Sequence, residues 1–241
     1  MLEPLSKILG KIFKAIYEYL VSMGNEPAQV SYYAIALLLM AVIYKLITIP
    51  LTIQSLKQTR KTAELQPQLD ELKKKYGYDQ EIYTKKVQEF QKEHNLAGAG
   101  CSGCLLMILQ LVIVIALFQV IKNPAMYLFD DPKKIDEIAK NFFWVKDLSL
   151  VDPTGFVLAL VNSLSQLLVT YLGQSQNASA APGMQSQQSM MYIMPIAFFF
   201  IFMKMPAGLL LYWVAGNIIE IVVKLIGNSV NANKLSVDEV K

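Results

Sequence analysis

Long apolar runs alternate with short polar ones along this chain. A helix rising 1.5 Å per residue needs about 20 apolar residues to cross a hydrocarbon core about 30 Å thick. Runs of that order cover Ser31–Ile53, Ser102–Ile121, Gly155–Leu172 and Ala207–Ile226. A shorter run, Met190–Met203, joins the last through "KMPAG", where Pro206 and Gly208 break the pattern. The pattern predicts an all-α integral membrane protein with five transmembrane helices.

Ahead of the first run the apolar positions are spaced. Leu5, Ile8, Leu9, Ile12, Phe13, Ile16, Tyr17 and Leu20 share one helical face, with Lys7, Lys11, Lys14 and Glu18 opposite. Residues 1–24 are therefore read as an amphipathic helix lying in the membrane interface. A core-packed helix is the alternative. Glu3 and Pro4 stand where a signal peptide carries basic residues, so no signal peptide is expected.

Residues 25–241 form the five-span core. Within it, 55–94 reads as a cytoplasmic helical hairpin. Leu65, Leu69, Leu72 and Tyr76 make one seam, Tyr83, Val87 and Phe90 another, and "GYD" at Gly77–Asp79 is the break. Its charged outer faces fit a solvated spacer or a docking arm. The uncharged stretch "GQSQNASAAPGMQSQQS", residues 173–189, reads as a flexible cytoplasmic loop. Lys57, Arg60 and Lys61 follow the first span closely, which places that end in the cytoplasm. Five spans then leave the N-terminus outside and the C-terminus inside.

Composition removes other classes. Hydrophobic residues make up 54% of the chain, and the net charge of +3 is dispersed, which argues against direct nucleic-acid recognition. "CSGC" supplies two cysteines, Cys101 and Cys104, without the four ligands of a structural zinc site or the βαβ setting of a redox pair. It reads as small residues where a glycine-rich loop meets the second span. His94 is the single histidine, which leaves no Ser-His-Asp arrangement. No glycine-rich phosphate loop is present. Neither cofactor nor metal is expected.

The spans hold a polar inventory instead: Lys45 and Thr48 in the first, Gln110 in the second, Asn162, Ser163, Ser165 and Gln166 in the third, Tyr212, Trp213 and Asn217 in the fifth. Such groups should face a bundle interior or a wet cavity. Interhelical hydrogen bonding explains single neutral ones. Lys45 is harder, since a mid-span Lys costs about 2.5–3.5 kcal/mol on insertion scales. Glu220 is the one intramembrane acid, and Lys224, one turn on, is its ready partner. Lys45 is thus left without an obvious mate, and a wet groove would solvate it.

Several segments resemble the YidC family of membrane protein insertases. "MPIAFFFIFMKMPAGLLLYWVAGN" is similar to the family signature through Met194-Pro195, Pro206-Ala207-Gly208-Leu209, Leu211-Tyr212-Trp213 and Asn217. "FFWVKDLSLVDP", Phe142 to Pro153, resembles the segment before the family's third conserved span. "NLAGAGCSGCLLMILQLVIVIALFQVI" resembles the "NP-x-GC" start of the second span, with Leu96 in place of Pro. "LQPQLDELKKKY" looks like the family's cytoplasmic hairpin. The family carries an Arg five residues before the Pro of the first conserved span; counting back from Pro50, this chain has Lys45. Lys keeps the charge and loses the planar five-donor fork. The family often has a Gln late in the third span; Gln166 resembles it but comes a little earlier relative to Pro153.

The resemblance implies the short, five-span form without the large extracytoplasmic domain, in the plasma (inner) membrane. It implies a hydrophilic groove open to cytoplasm and lipid, no enzyme activity and no nucleotide. The substrate-binding residues it suggests are Lys45, Thr48, Gln110, Asn162, Gln166, Tyr212, Trp213 and Asn217. Nascent membrane proteins and membrane lipid are the implied partners, with a Sec translocon and the ribosome as further candidates. Met190, Met191, Met194, Met203 and Met205 offer either an adaptable surface for apolar segments or ordinary packing. The competing reading is a secondary transporter or channel subunit binding an anion at Lys45, which predicts internal repeats that the chain lacks. A membrane-embedded enzyme would need clustered acids or histidines in the spans.

Overall fold

A computed structural model describes residues 3–94, 96, 99–128, 138–173, 193 and 195–238. Along 99–107, at 125 and along 230–238 it gives the backbone alone. Among the described residues the regular elements are all helical: α1 Glu3–Ser22, α2 Tyr32–Glu64, α3 Gln66–Tyr76, α4 Gln80–Glu93, α5 Ala99–Lys122, α6 Pro124–Tyr127, α7 Val157–Gly173, α8 over 195–202 and α9 Ala207–Asp238. An apolar run favours a helix because every backbone donor and acceptor then finds a partner within the segment. Tyr32–Glu64 and Ala207–Ser229 are long and apolar enough to cross a membrane, and Ile108–Lys122 and Val157–Gly173 are shorter apolar helices.

Several boundaries differ from expectation. α2 passes Ile53 and continues to Glu64. No Gly or Pro occurs between Pro50 and Pro67, and the intervening Gln, Lys, Arg and Ala sustain a helix. The paired helices of the hairpin are α3 and α4, Gln66–Tyr76 and Gln80–Glu93, and residues 55–64 continue α2. α5 is already helical at Ala99, where a loop was expected, and α9 runs past Ile226 to Asp238. Most of the loop at 173–189, and Met190, Met191 and Met194, lie outside the described residues.

The chain divides into two compact units. The first comprises residues 1–47, 108–166 and 196–220. Its core joins Tyr33, Leu37 and Ala41 of α2, Leu117 and Ile121 of α5, Leu158 of α7 and Leu209 and Leu210 of α9. Met203 and Met205 pack against this core. α1 docks on it through Phe13, whose ring lies 4.9 Å from that of Tyr33. Ser6 Oγ donates to the Ala116 carbonyl at 3.2 Å. At Gly10 a Cβ would overlap the Tyr127 carbonyl, so glycine allows this approach.

A folded loop caps the same unit. Phe142 and Val145 exchange backbone bonds of 2.8 and 2.9 Å, burying Val145. Ser31 N–H donates to Asn141 O at 2.9 Å, and Phe143 N–H to Gln29 O at 2.8 Å, tying the loop to the start of α2. Ala207 and Gly208 N–H donate to Leu150 and Leu148 carbonyls at 2.7 and 2.8 Å, tying it to α9. Asp152 prepares α7: its carboxylate accepts from Thr154 N–H at 3.0 Å, Leu158 N–H at 2.9 Å and Trp144 Nε1 at 3.2 Å.

The second unit comprises residues 48–107, 167–195 and 221–241. α3 and α4 pair through Leu69, Tyr83 and Val87, with Leu72, Tyr76 and Phe90 against them. Asp79 caps α4 by accepting from Glu81 and Ile82 N–H at 3.0 and 3.1 Å. Arg60 donates to Gly227 O at 2.7 Å and to Asn228 Oδ1 at 2.8 Å. Lys224 Nζ donates to the Val169 carbonyl at 2.9 Å, in the last turns of α7. A cation there satisfies a terminal carbonyl and complements the helix dipole.

Candidate functional site

The exposed faces of the helices fix where polar groups cannot point. On α2 the exposed residues Leu39, Val42, Ile43, Leu46 and Ile47 recur at helical spacing. On α7 Leu160, Val161 and Leu164 do the same. Continuous apolar stripes of this kind are costly in water and natural in lipid. Lys45, Asn162 and Asn217 lie off these stripes and are buried. The polarity of the helices is thus turned inward, as a hydrocarbon solvent requires.

Within the first unit those inward groups meet. Lys45 Nζ donates to Glu220 Oε2 at 2.5 Å, joining α2 to α9. This overturns the expectation of a Lys45 without a mate. The i, i+4 neighbour is only one way to neutralise an acid; here α9 turns Glu220 toward Lys45 of α2, and Lys224 donates to an α7 carbonyl. Lys45 Nζ also stands 6.0 Å from the centre of the Tyr44 ring.

One turn from Glu220, Asn217 is 3% exposed and commits both amide hydrogens. It donates to Ser165 Oγ at 2.9 Å and to Asn162 Oδ1 at 3.4 Å. Ser165 in turn donates to the Asn162 carbonyl at 2.8 Å. Trp213, one further turn back on α9, donates from Nε1 to Gln166 Oε1 at 3.3 Å. Phe202 of α8 meets the Trp213 ring edge-on at 5.0 Å and fixes its tilt. Positions 213, 217 and 220 fall at i, i+4 and i+7, so one face of α9 carries the set.

The cluster therefore assembles Lys45, Asn162, Gln166, Trp213 and Asn217 among the residues singled out in sequence, and adds Ser165 and Glu220. Tyr212 is buried, its ring 6.5 Å from that of Tyr44, and its hydroxyl has no hydrogen-bond partner among the described residues. The buried Asn162 Nδ2 and Ser163 Oγ are likewise unmatched there. Buried donors left over in this way suit a site that takes water or a polar guest. Gln110, half-buried on α5, joins none of these bonds among the described residues. Thr48 falls in the second unit, where it is buried and its carbonyl accepts from Thr52 Oγ1 at 3.2 Å.

Apolar stripes outside and an ion pair with an amide–hydroxyl network inside define a helical membrane protein with a polar interior. The 60Kd inner membrane protein family matches residues 26–234. Membrane protein insertase YidC of Clostridium tetani is 32% identical over 238 residues, covering 97% of this chain and 99% of that protein. The Clostridium perfringens protein of the same name is 30% identical over 226 residues, covering 92% and 89%. That of Oleidesulfovibrio alaskensis is 32% identical over 217 residues, covering 90% of this chain and 37% of the longer relative. The chain belongs to the 60Kd inner membrane protein family, a family of YidC insertases and not of enzymes. It is an inner-membrane protein, similar over nearly full length to the short clostridial members.

Proposed function

We propose that this chain is a membrane protein insertase that receives nascent membrane proteins at the polar cluster of α2, α7 and α9. One observation carries the reading: Lys45 and its hydrogen-bonded neighbours are turned away from the exposed apolar stripes. Five spans, with the N-terminus outside and the C-terminus in the cytoplasm, place the hairpin on the side where substrates are made. In this reading α1 lies along the outer membrane surface. The cluster is a groove open to cytoplasm and lipid. A substrate's polar outer tail exchanges water for the amides and charges of the groove. Coulomb attraction at Lys45 strengthens as the effective dielectric falls. The substrate's own span then moves along α7 and α9 into lipid. Burial of its apolar surface, about 25 cal/mol per Å², drives the transfer.

Reconstitution of the purified protein in liposomes tests this. A small single-span protein should integrate without an ion gradient. Lys45→Arg should keep that activity, since charge and reach are retained. Lys45→Gln removes the Lys45–Glu220 ion pair, and breaking a buried pair costs about 3–5 kcal/mol, so it is compared with Lys45→Gln/Glu220→Gln. Both should slow integration of a substrate with an acidic tail more than one with a neutral tail. Anion flux without integration would replace the insertase reading with a transporter.

A further inference from the structure

We propose that Glu220 sets the charge selectivity of the receiving site, holding Lys45 in an internal ion pair that an incoming acidic tail has to displace. The inference deepens the insertase reading and rests on it. The Lys45 and Glu220 side chains keep 11% and 21% of their surface exposed. The pair is therefore neither a solvated surface contact nor a sealed core bridge. Salt screens it less than an exposed pair, and a guest can still reach both ends. Several groups flank it. Tyr44 turns its ring toward Lys45 Nζ, Gly216 lies under the Lys45 stem, and Asn217 is committed to Asn162 and Ser165.

A substrate carboxylate arriving here does not meet a bare cation. It exchanges with a carboxylate already in place, and replacing one like partner by another gains little. The same pair offers Glu220 to a basic tail once Lys45 turns aside. A paired groove thus accepts outer tails of either charge, whereas a lone cation would favour acidic ones. Selectivity is a difference of affinities, and Glu220 supplies the opposing element.

The test uses purified full-length protein in phosphatidylcholine vesicles, whose neutral surface adds no charge preference. Three versions of one single-span substrate carry Asp, Asn or Lys at the same outer-tail positions. The wild type should integrate all three with little preference between Asp and Lys. Glu220→Gln should raise the Asp-to-Lys ratio about tenfold, the lower end of coupling for close charge pairs. Lys45→Gln should lower it, and the double variant should return it toward the wild type. The swap Lys45→Glu/Glu220→Lys keeps a pair in reversed order and should also stay near the wild-type ratio. A fixed charge at position 45 acting alone would instead invert the ratio in the swap. Inversion there, or a Glu220→Gln protein whose three rates move together, would overturn the proposal. Failure of the wild type on all three tails would overturn the insertase reading itself.

Discussion

Gly216 of α9 lies against the stem of Lys45: a Cβ built on Gly216 would stand 3.1 Å from Lys45 Cε. The glycine gives the lysine a shallow channel across α9 toward Glu220, one turn further on. Two effects oppose each other in Gly216→Ala. Helix propensity gains about 1 kcal/mol, and crowding of a flexible stem costs a similar amount. Thermal unfolding in detergent should therefore stay close to the wild type. Gly216→Val adds a branched side chain where the stem runs and should lose about 1–3 kcal/mol. It should also displace Lys45 and slow insertion of an acidic-tailed substrate. Wild-type unfolding and insertion in Gly216→Val would mean that the contact is loose.

Asp152 gives a pH prediction. Burial pushes its carboxyl up, but N–H bonds from Leu158 and Thr154, with the Thr154 and Trp144 side chains, outweigh this and hold it below the usual carboxylate range. A folded-state value below the unfolded one contributes stability that is complete above the unfolded pKa. That stability is lost as pH falls through the folded one. Unfolding temperature should therefore drop on acidification below about pH 4. Asp152→Asn should lose about 1–3 kcal/mol at neutral pH and show a flatter acid limb. Parallel pH profiles for the two proteins would contradict this.

The hairpin has a small seam, and Tyr83 is at its centre with 1% exposure. Its hydroxyl has no hydrogen-bond partner among the described residues. Removing an unsatisfied buried hydroxyl is neutral or favourable, so Tyr83→Phe should match or exceed the wild type by up to about 1 kcal/mol. Leu69→Ala should cost about 2 kcal/mol, at the low end for a core Leu because a narrow seam can collapse. Hydrogen exchange reads both. Exchange over 66–93 should be faster than in the apolar part of α2 and should speed up further in Leu69→Ala. Protection equal to that of α2 would show that the arm is firmly docked.

Orientation is checked by labelling. With Cys101 and Cys104 replaced, a cysteine at Gln80 should resist a membrane-impermeant reagent in intact cells and react after lysis. Labelling from outside would reverse the topology.

The helices and most of the inward polar set were legible in the sequence, because both follow from local rules. An apolar run of sufficient length makes a helix, and an isolated Asn or Gln within it has to turn inward. Asn162 and Gln166 are four residues apart and share a face in any α-helix. Partner choice was not legible. Helix geometry alone offers Lys224 to Glu220 at i, i+4. The bond from Lys45 to Glu220 spans 175 positions and depends on the rotation of α9 against α2. Ser165 was counted among the polar residues of its span but left out of the site. Its role emerges only when Asn217 arrives from α9 to donate to it. The continuity of α2 is not visible in hydropathy, which ends the apolar span at Ile53, whereas the polar residues beyond it are good helix formers and carry the helix to Glu64.

The central claim is that substrates meet the polar cluster and not the apolar stripes. Site-specific photo-crosslinking with a stalled nascent single-span protein tests it most directly. A photoreactive residue is placed in turn at Gln166, Trp213, Leu46 and Ile47. Gln166 and Trp213 are hydrogen-bonded to each other within the cluster, whereas Leu46 and Ile47 are 61% and 69% exposed on the stripe of α2. Adducts are expected at 166 and 213 while the nascent chain is short, with 46 and 47 silent. Adducts confined to 46 and 47, or equal at all four positions, would contradict it.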